Sequence, residues 1–143
     1  MNTTATDAVC RGKIVSIQGS VSPSEKTLDY GTNPAHFGRM IRPDGYARVK
    51  GPCGDTDEIF LRIREGKIKE AKFITDGSLF AKAACNAVAH LAIGKALHQC
   101  LRIDQDSILK HLEGIPYSHI HCALLAATAL STAVRNYVLD GTK

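Results

Sequence analysis

The stretch YARVKGPCGDTDEIFLRIREGKIKEAKFI, residues 46–74, decides the fold. Three of its segments, 46–50, 58–64 and 67–74, have strand character, because they alternate apolar and polar residues or are rich in β-branched residues. Between the second and the third segment stands Glu65-Gly66, a two-residue hairpin signal. Sequential strands joined by short turns favour a meander. The stretch therefore predicts a three-stranded antiparallel sheet.

Helical periodicity follows the sheet. Apolar residues recur at three- and four-residue intervals from Ser78 until Gly94, and further helical segments are predicted at 95–101, 104–112 and from Ser118 or His119 to about Val138. Before the sheet, residues 25–30 are predicted to form a short helix. Strands first and helices afterwards are typical of an α+β domain with helices packed on one face of the sheet. We expect one domain over residues 22–143, preceded by a flexible arm over residues 1–21, in which 13–21 has weak strand character.

The composition of the chain limits the classes of function that it can have. A chain of 143 residues with a hydrophobic share of 44% is ordinary for a globular protein, and its net charge of +4 is spread along the chain without an aromatic-interleaved basic patch. We therefore expect no nucleic-acid partner. The longest uncharged apolar run, 123–134, falls short of a membrane span, and no signal peptide is recognisable. These features predict a cytosolic protein whose five cysteines stay reduced.

The turn Gly51-Pro52-Cys53-Gly54-Asp55 lies between the first two predicted strands. Cys53 and Asp55 stand two residues apart on a sharp turn, so a thiol and a carboxylate can converge on one object. Both are ligands of first-row metals. An ordinary hairpin connection with a buried Cys and a capping Asp explains these five residues equally well.

A second pair of donors, His121 and Cys122, falls in the first turn of the last predicted helix. The partial positive charge of a helix N-terminus would stabilise a Cys122 thiolate and lower its pKa. Taken alone, both residues are explained as well by ordinary packing. Together with Cys53 and Asp55 they supply two thiolates, a carboxylate and an imidazole, which is enough for a tetrahedral site.

Several short motifs, in this order along the chain, resemble those of the iron–sulfur cluster scaffold family that comprises IscU and the N-terminal domain of NifU. The resemblance covers roughly residues 24–137 and rests on these segments: Asn33-Pro34, Gly38, Gly51-Pro52-Cys53-Gly54-Asp55, Thr75-Asp76-Gly77, Ala92-Ile93-Gly94-Lys95 and His121-Cys122-Ala123-Leu124-Leu125-Ala126. It implies a three-stranded antiparallel sheet with packed helices. It also implies a site that holds a nascent [2Fe–2S] cluster or zinc, with a cysteine desulfurase as sulfur donor and iron–sulfur apoproteins as acceptors.

Carried over by position, the resemblance implies that Cys53, Asp55, His121 and Cys122 bind the cluster or metal. The family's middle cysteine is missing, because Ser78 stands in its place. Cys85 shares a helical face with Ser78 but lies about 10 Å further along the axis, so only an altered helix start would bring it in. Bulky residues follow Ser78 where the family has small ones: Leu79, Phe80 and Lys82. The segment 115–119 also departs from the family's Leu-Pro-Pro-Val-Lys, so no dedicated Hsp70-class chaperone is predicted.

Three functions stay open on the sequence. The first is a non-enzymatic scaffold for a [2Fe–2S] cluster, and the second is a zinc-binding or persulfide-accepting relative that has lost cluster assembly. The third, a thiol enzyme using Cys122 with His121 as base, is disfavoured because adjacent helical residues project about 100° apart. A homo-oligomer stays open as well. The other cysteines and histidines are assigned to packing: Cys10, Cys100, His36, His90, His98 and His111.

Overall fold

Three antiparallel strands form a sheet in the order β1-β2-β3. The computed structural model describes residues 23–141, and within them the strands are β1 (Gly45–Lys50), β2 (Thr56–Arg64) and β3 (Lys67–Thr75). The antiparallel meander predicted from the sequence is confirmed. Strand β2 begins two residues earlier than predicted, because Thr56 still pairs with Lys50 across the first turn.

The hairpin between β2 and β3 has the chemistry that its sequence predicts. Glu65 and Gly66 both adopt positive φ, 54° and 75°. A two-residue turn with positive φ at both positions matches the right-handed twist of the flanking strands. The turn therefore sets the register in which Arg64 faces Lys67.

Within residues 23–141, five α-helices accompany the sheet. They are α1 (Glu25–Thr32), α2 (Leu79–Ala92), α3 (Leu97–Cys100), α4 (Gln105–Leu112) and α5 (Ile120–Gly141). The α+β prediction is confirmed. The helix predicted at 95–101 is reduced to one turn, because Gly94 and Lys95 hydrogen-bond to Ile68 of β3 and cannot also continue a helix.

The core lies between the inner face of the sheet and helices α2 and α5. Alternate strand residues such as Ile59, Leu61 and Phe73 are fully buried there, as the two-residue period of a strand requires. The facing positions of α2 are mostly alanine, which lets the helix approach the sheet closely. This packing holds the end of β1, the start of β2 and the start of α5 in fixed positions.

Helix α5 belongs to the one described segment, Tyr117–Asp140, that is long and apolar enough to cross a membrane by length and composition. It exceeds the run 123–134 considered from the sequence, so the expectation that every apolar segment is too short was wrong. Half of its most apolar window is buried inside the fold, which accounts for its apolar character. The predicted strand at 13–21 and Cys10 lie outside the described residues.

Candidate metal centre

The turn between β1 and β2 carries the first two donors. The backbone N–H of Gly51 donates to the carbonyl of Asp55 (2.8 Å) and that of Gly54 to the carbonyl of Gly51 (3.0 Å). Gly54 has φ of +99°, a conformation that favours glycine. The resulting tight loop leaves Cys53 exposed at its tip and Asp55 half-buried beneath it.

The start of α5 carries the other two donors. A 3₁₀ turn, Tyr117–His119, leads directly into the helix, and Gln105 on α4 donates a side-chain hydrogen bond to the carbonyl of Ile120 (3.3 Å). His121 is half-buried, whereas Cys122 points inward and is only 3% exposed. Of these two adjacent donors, His121 therefore lies toward the surface and Cys122 toward the core.

The two pairs of donors meet. Ligand atoms of Cys53, Asp55 and His121 all lie within 4.8 Å of one another, and Cys122 Sγ lies 3.9 Å from His121 Nε2. In residues 23–141 no other group of three or more potential ligands is this compact. Two sulfurs, an oxygen and an imidazole suit zinc or iron in an iron–sulfur cluster. The geometry is compatible with the predicted ligand set, and ligation itself stays a prediction.

The environment of Cys122 differs from the sequence expectation. Burial is the main cause that raises the pKa of its thiol to about 12, and the nearby Asp55, Cys53 and Asp57 raise it further. The expectation of a lowered pKa was wrong, because the helix N-terminus does not offset the loss of solvent. The side chains of His121 and Cys122 also approach each other, contrary to the argument from helical projection. A buried thiol with so high a pKa is nevertheless a poor nucleophile.

Ser78, which holds the place of a cysteine in the family resemblance, caps a helix. It is the N-cap of α2, and its hydroxyl accepts a hydrogen bond from the backbone N–H of Phe80 (3.2 Å). Its side chain is exposed. Capping the helix is sufficient to explain this serine.

Cys85 lies beneath the site, nearer to it than the spacing along α2 suggests. It is fully buried, its thiol hydrogen-bonds to the carboxylate of Asp57, and burial, Asp57, Cys122 and Asp55 together raise its pKa well above the ordinary value. Asp57 in turn accepts a hydrogen bond from the hydroxyl of Thr75 (2.7 Å). That hydroxyl also accepts from the backbone N–H of Gly77 (3.1 Å), so this buried network supports the turn that precedes α2.

The side chains of His119 and Phe80 lie at the side of the candidate metal centre. This contact was not predicted from the sequence. Their rings pack in a tilted arrangement, with centroids 4.4 Å apart and planes 35° apart, and the His119 ring lies 6.3 Å from that of His121. Burial and the neighbouring His121 lower the pKa of His119, while Asp55 opposes this effect. In the sequence, the unusual bulk of Phe80 indicated a change in packing at this position. The residue that Phe80 contacts could not be identified without the fold.

A cavity of about 220 Å³ opens beside the donors. Cys53 and His121 form part of its wall, and Leu124, which is 53% exposed, stands at its mouth. The lining residues are Val49, Lys50, Gly51, Pro52, Cys53, His121, Leu124, Leu125 and Thr128. The site is therefore reachable from solvent on the Cys53 side.

The remaining described cysteine and histidines lie away from these donors. Cys100 is fully buried, with Sγ 3.9 Å from the carbonyl of Ala92, as expected for a packing residue. The rings of His36, His90 and His111 contact one another in series, at centroid distances of 6.2 and 5.2 Å. His98 is exposed on α3.

Comparison with known proteins identifies the family. A sequence model described as NifU-like N terminal domain matches residues 22–142. The chain belongs to the NifU-like N-terminal domain family. A relative, the iron–sulfur cluster assembly scaffold protein IscU 1 of Archaeoglobus fulgidus, is 34% identical over 115 residues, which cover 80% of this chain and 75% of the relative.

Two further comparisons concern the family and the fold. The iron–sulfur cluster assembly scaffold protein IscU of Haemophilus influenzae is 32% identical over 119 residues, covering 80% of this chain and 94% of the relative. The crystal structure of a NifU-like protein (N-terminal) from Brucella abortus superposes with a TM-score of 0.68 at 19% identity, covering 81% of this chain and 94% of that one. The first supports the family by sequence, and the second supports the fold alone.

Proposed function

We propose that this chain is an iron–sulfur cluster assembly scaffold, which builds a transient cluster and passes it to acceptor proteins. The observation that supports this most strongly is the meeting of Cys53, Asp55 and His121 within 4.8 Å, with Cys122 in contact with His121. Relatives named as cluster assembly scaffolds share this family. The chain acts as a carrier of the cluster rather than as an enzyme.

The four donors have unequal tasks. Cys53 and Cys122 hold the irons through thiolates, the preferred ligands of iron–sulfur clusters. Asp55 and His121 complete the ligand set with harder donors, which bind such a cluster less tightly than thiolates do. A cluster held in this way is suited to transfer.

Partners would approach from the Cys53 side. That side is exposed and opens into the apolar cavity, so a cysteine desulfurase could bring sulfur there and an acceptor apoprotein could collect the cluster there. We expect these exchanges to take place in the cytosol.

Anaerobic reconstitution with ferrous iron, sulfide and a thiol tests the proposal. We expect visible charge-transfer absorption, equal amounts of iron and sulfide per chain, and transfer of the cluster to an apo-ferredoxin. C53S and C122S should lose the absorption. The matched control C100A, which removes a buried thiol away from the site, should retain it. A colourless wild-type product without iron would contradict the proposal.

Zinc is the second candidate cargo. The compactness of the Cys53–Asp55–His121 group suits a single tetrahedral ion. Anaerobic purification followed by quantification of zinc, iron and sulfide per chain separates the two. Stoichiometric zinc that iron and sulfide cannot displace would favour the zinc-binding relative.

A further inference from the structure

His119 stands next to the compact donor group without a hydrogen-bonding role of its own. Within residues 23–141, no hydrogen bond or ion pair engages its ring nitrogens, although the ring is half-buried and Phe80 packs against its face. His111 offers a contrast, because its Nε2 is 2.9 Å from the hydroxyl of Tyr30. The imidazole is half-buried, its nitrogens are unengaged, and it lies beside a group of donors that suits a metal. It is therefore available to act as a further metal ligand.

The position of His119 suits a two-iron cluster better than a single ion. The ligand atoms of Cys53, Asp55 and His121 are already close enough to surround one ion. A two-iron cluster is larger and needs two protein ligands on each iron. The rings of His119 and His121 lie 6.3 Å apart and within 29° of parallel, so small side-chain rotations would bring both imidazoles to the same iron.

The chemistry of the donors favours the exchange of Asp55 for His119. A carboxylate is a hard ligand that suits harder ions, whereas imidazole suits iron well. Two imidazoles on one iron and two thiolates on the other form a known ligand set for a [2Fe–2S] cluster. Cys53, Cys122, His119 and His121 contain this set.

We propose that His119 joins His121 when a complete [2Fe–2S] cluster occupies the site, so that two thiolates and two imidazoles hold it and His119 takes the place that the proposed function gives to Asp55. The inference rests on the proposed function. It assigns Asp55 to the single-ion state and His119 to the cluster state. The two residues therefore have separable effects.

The experiment compares wild type, H119Q, H119C, D55N and the control H98Q, whose histidine is exposed on α3. Each protein is reconstituted and reduced, and pulsed EPR counts the directly coordinated histidine nitrogens. We expect two in wild type, D55N and H98Q. We expect one in H119Q and H119C, with H119C retaining its full cluster content because a thiolate replaces the imidazole. Circular dichroism checks the fold of every variant.

Zinc titration of the same proteins provides the second measurement. D55N should lose zinc affinity by more than the roughly 10–100-fold that loss of a ligand's hydrogen-bond partner costs, while H119Q keeps the wild-type value. A single coordinated nitrogen in wild type, or equal nitrogen counts in wild type and H119Q, would overturn the inference and leave the scaffold function standing. A wild-type protein that binds zinc but forms no cluster would overturn both.

Discussion

The carboxylate of Asp55 rests directly on the backbone of Gly77. A Cβ atom placed on Gly77 would lie 2.6 Å from Asp55 Oδ2 and 2.5 Å from the Cβ of Ala81. Only a residue without a side chain leaves room for this contact. The turn before α2 thereby forms the floor on which one candidate ligand is positioned.

G77A should weaken metal binding, because the added methyl group displaces the Asp55 carboxylate. We expect zinc affinity to fall by about 10–100-fold, the range observed when groups that orient metal ligands are altered. Competition with a chromophoric chelator measures the change. The double variant G77A/A81G relieves the contact with Ala81 but not that with Asp55, so it should remain impaired. Recovery of wild-type affinity in the double variant would show that α2, not Asp55, carries the effect.

Replacing Ser78 should separate helix capping from metal binding. S78A removes the hydroxyl that caps α2 and should lower the free energy of unfolding by about 0.5–2 kcal/mol, without altering zinc affinity. S78C also loses the cap but places a thiol next to Gly77, against which Asp55 packs, so it should bind zinc more tightly than wild type. Urea unfolding and zinc titration measure the two effects. Loss of zinc affinity in S78A would instead identify the serine as a ligand.

T75V should destabilise the fold from beneath the site. The valine leaves the buried carboxylate of Asp57 without the hydrogen bond from Thr75 and the N–H of Gly77 without its acceptor. Loss of a buried hydrogen bond of this kind costs roughly 1–3 kcal/mol. The control T128V alters an exposed threonine on α5 and should change stability by less than about 0.5 kcal/mol. Equal effects of the two variants in urea unfolding would refute a supporting role for the network.

The protein should lose stability on mild acidification. Burial is the main cause that lowers the pKa values of His36 and His111, with contributions from His90 to both, from Lys72 to His36, and from Lys26 to His111; Glu113 opposes the shift of His111. A histidine with a lowered pKa binds protons less readily in the folded than in the unfolded state. Its contribution is therefore intact above the ordinary pKa of about 6.5 and is lost as pH falls below it.

Thermal unfolding between pH 7.5 and pH 5 measures this effect. H36Q should show a smaller decrease in Tm over that range than wild type, because glutamine does not titrate. The control H98Q replaces a histidine that is exposed on α3, and its decrease in Tm is compared with that of H36Q. An unchanged pH dependence in H36Q would exclude His36 as a source of acid sensitivity.

The sequence predicted the architecture well because its signals are local. Glu65-Gly66 requires the backbone angles of a tight hairpin, and the alternation along β2 identifies its buried face. The turn 51–55 and the start of α5 could be recognised separately as donor-bearing turns. That the two turns lie together was inferred because both carry metal-binding side chains. The fold makes this proximity geometrically possible.

What the sequence could not predict depends on contacts between distant elements. The burial of Cys122 follows from the packing of α5 on the sheet, and it reversed the expected direction of the thiol pKa. The distance of Cys85 from the site was judged from its position along α2. Its hydrogen bond to Asp57, however, joins the helix to a strand. The ring contact between Phe80 and His119 joins residues 39 positions apart, which no helical or strand period links.

The two candidate thiols differ sharply in their access to water: Cys53 stands on an exposed loop tip, and Cys122 is 3% exposed. Any molecule that arrives from solution therefore meets Cys53 before Cys122, and a limiting amount of an alkylating reagent should label Cys53 before the buried Cys85, Cys100 and Cys122. Departure must follow the same route, since packed helix and sheet enclose the deeper sulfur. Delivery of sulfur and removal of the cluster would thus require the same side of the protein. The sulfur donor and the cluster acceptor could therefore bind only one after the other.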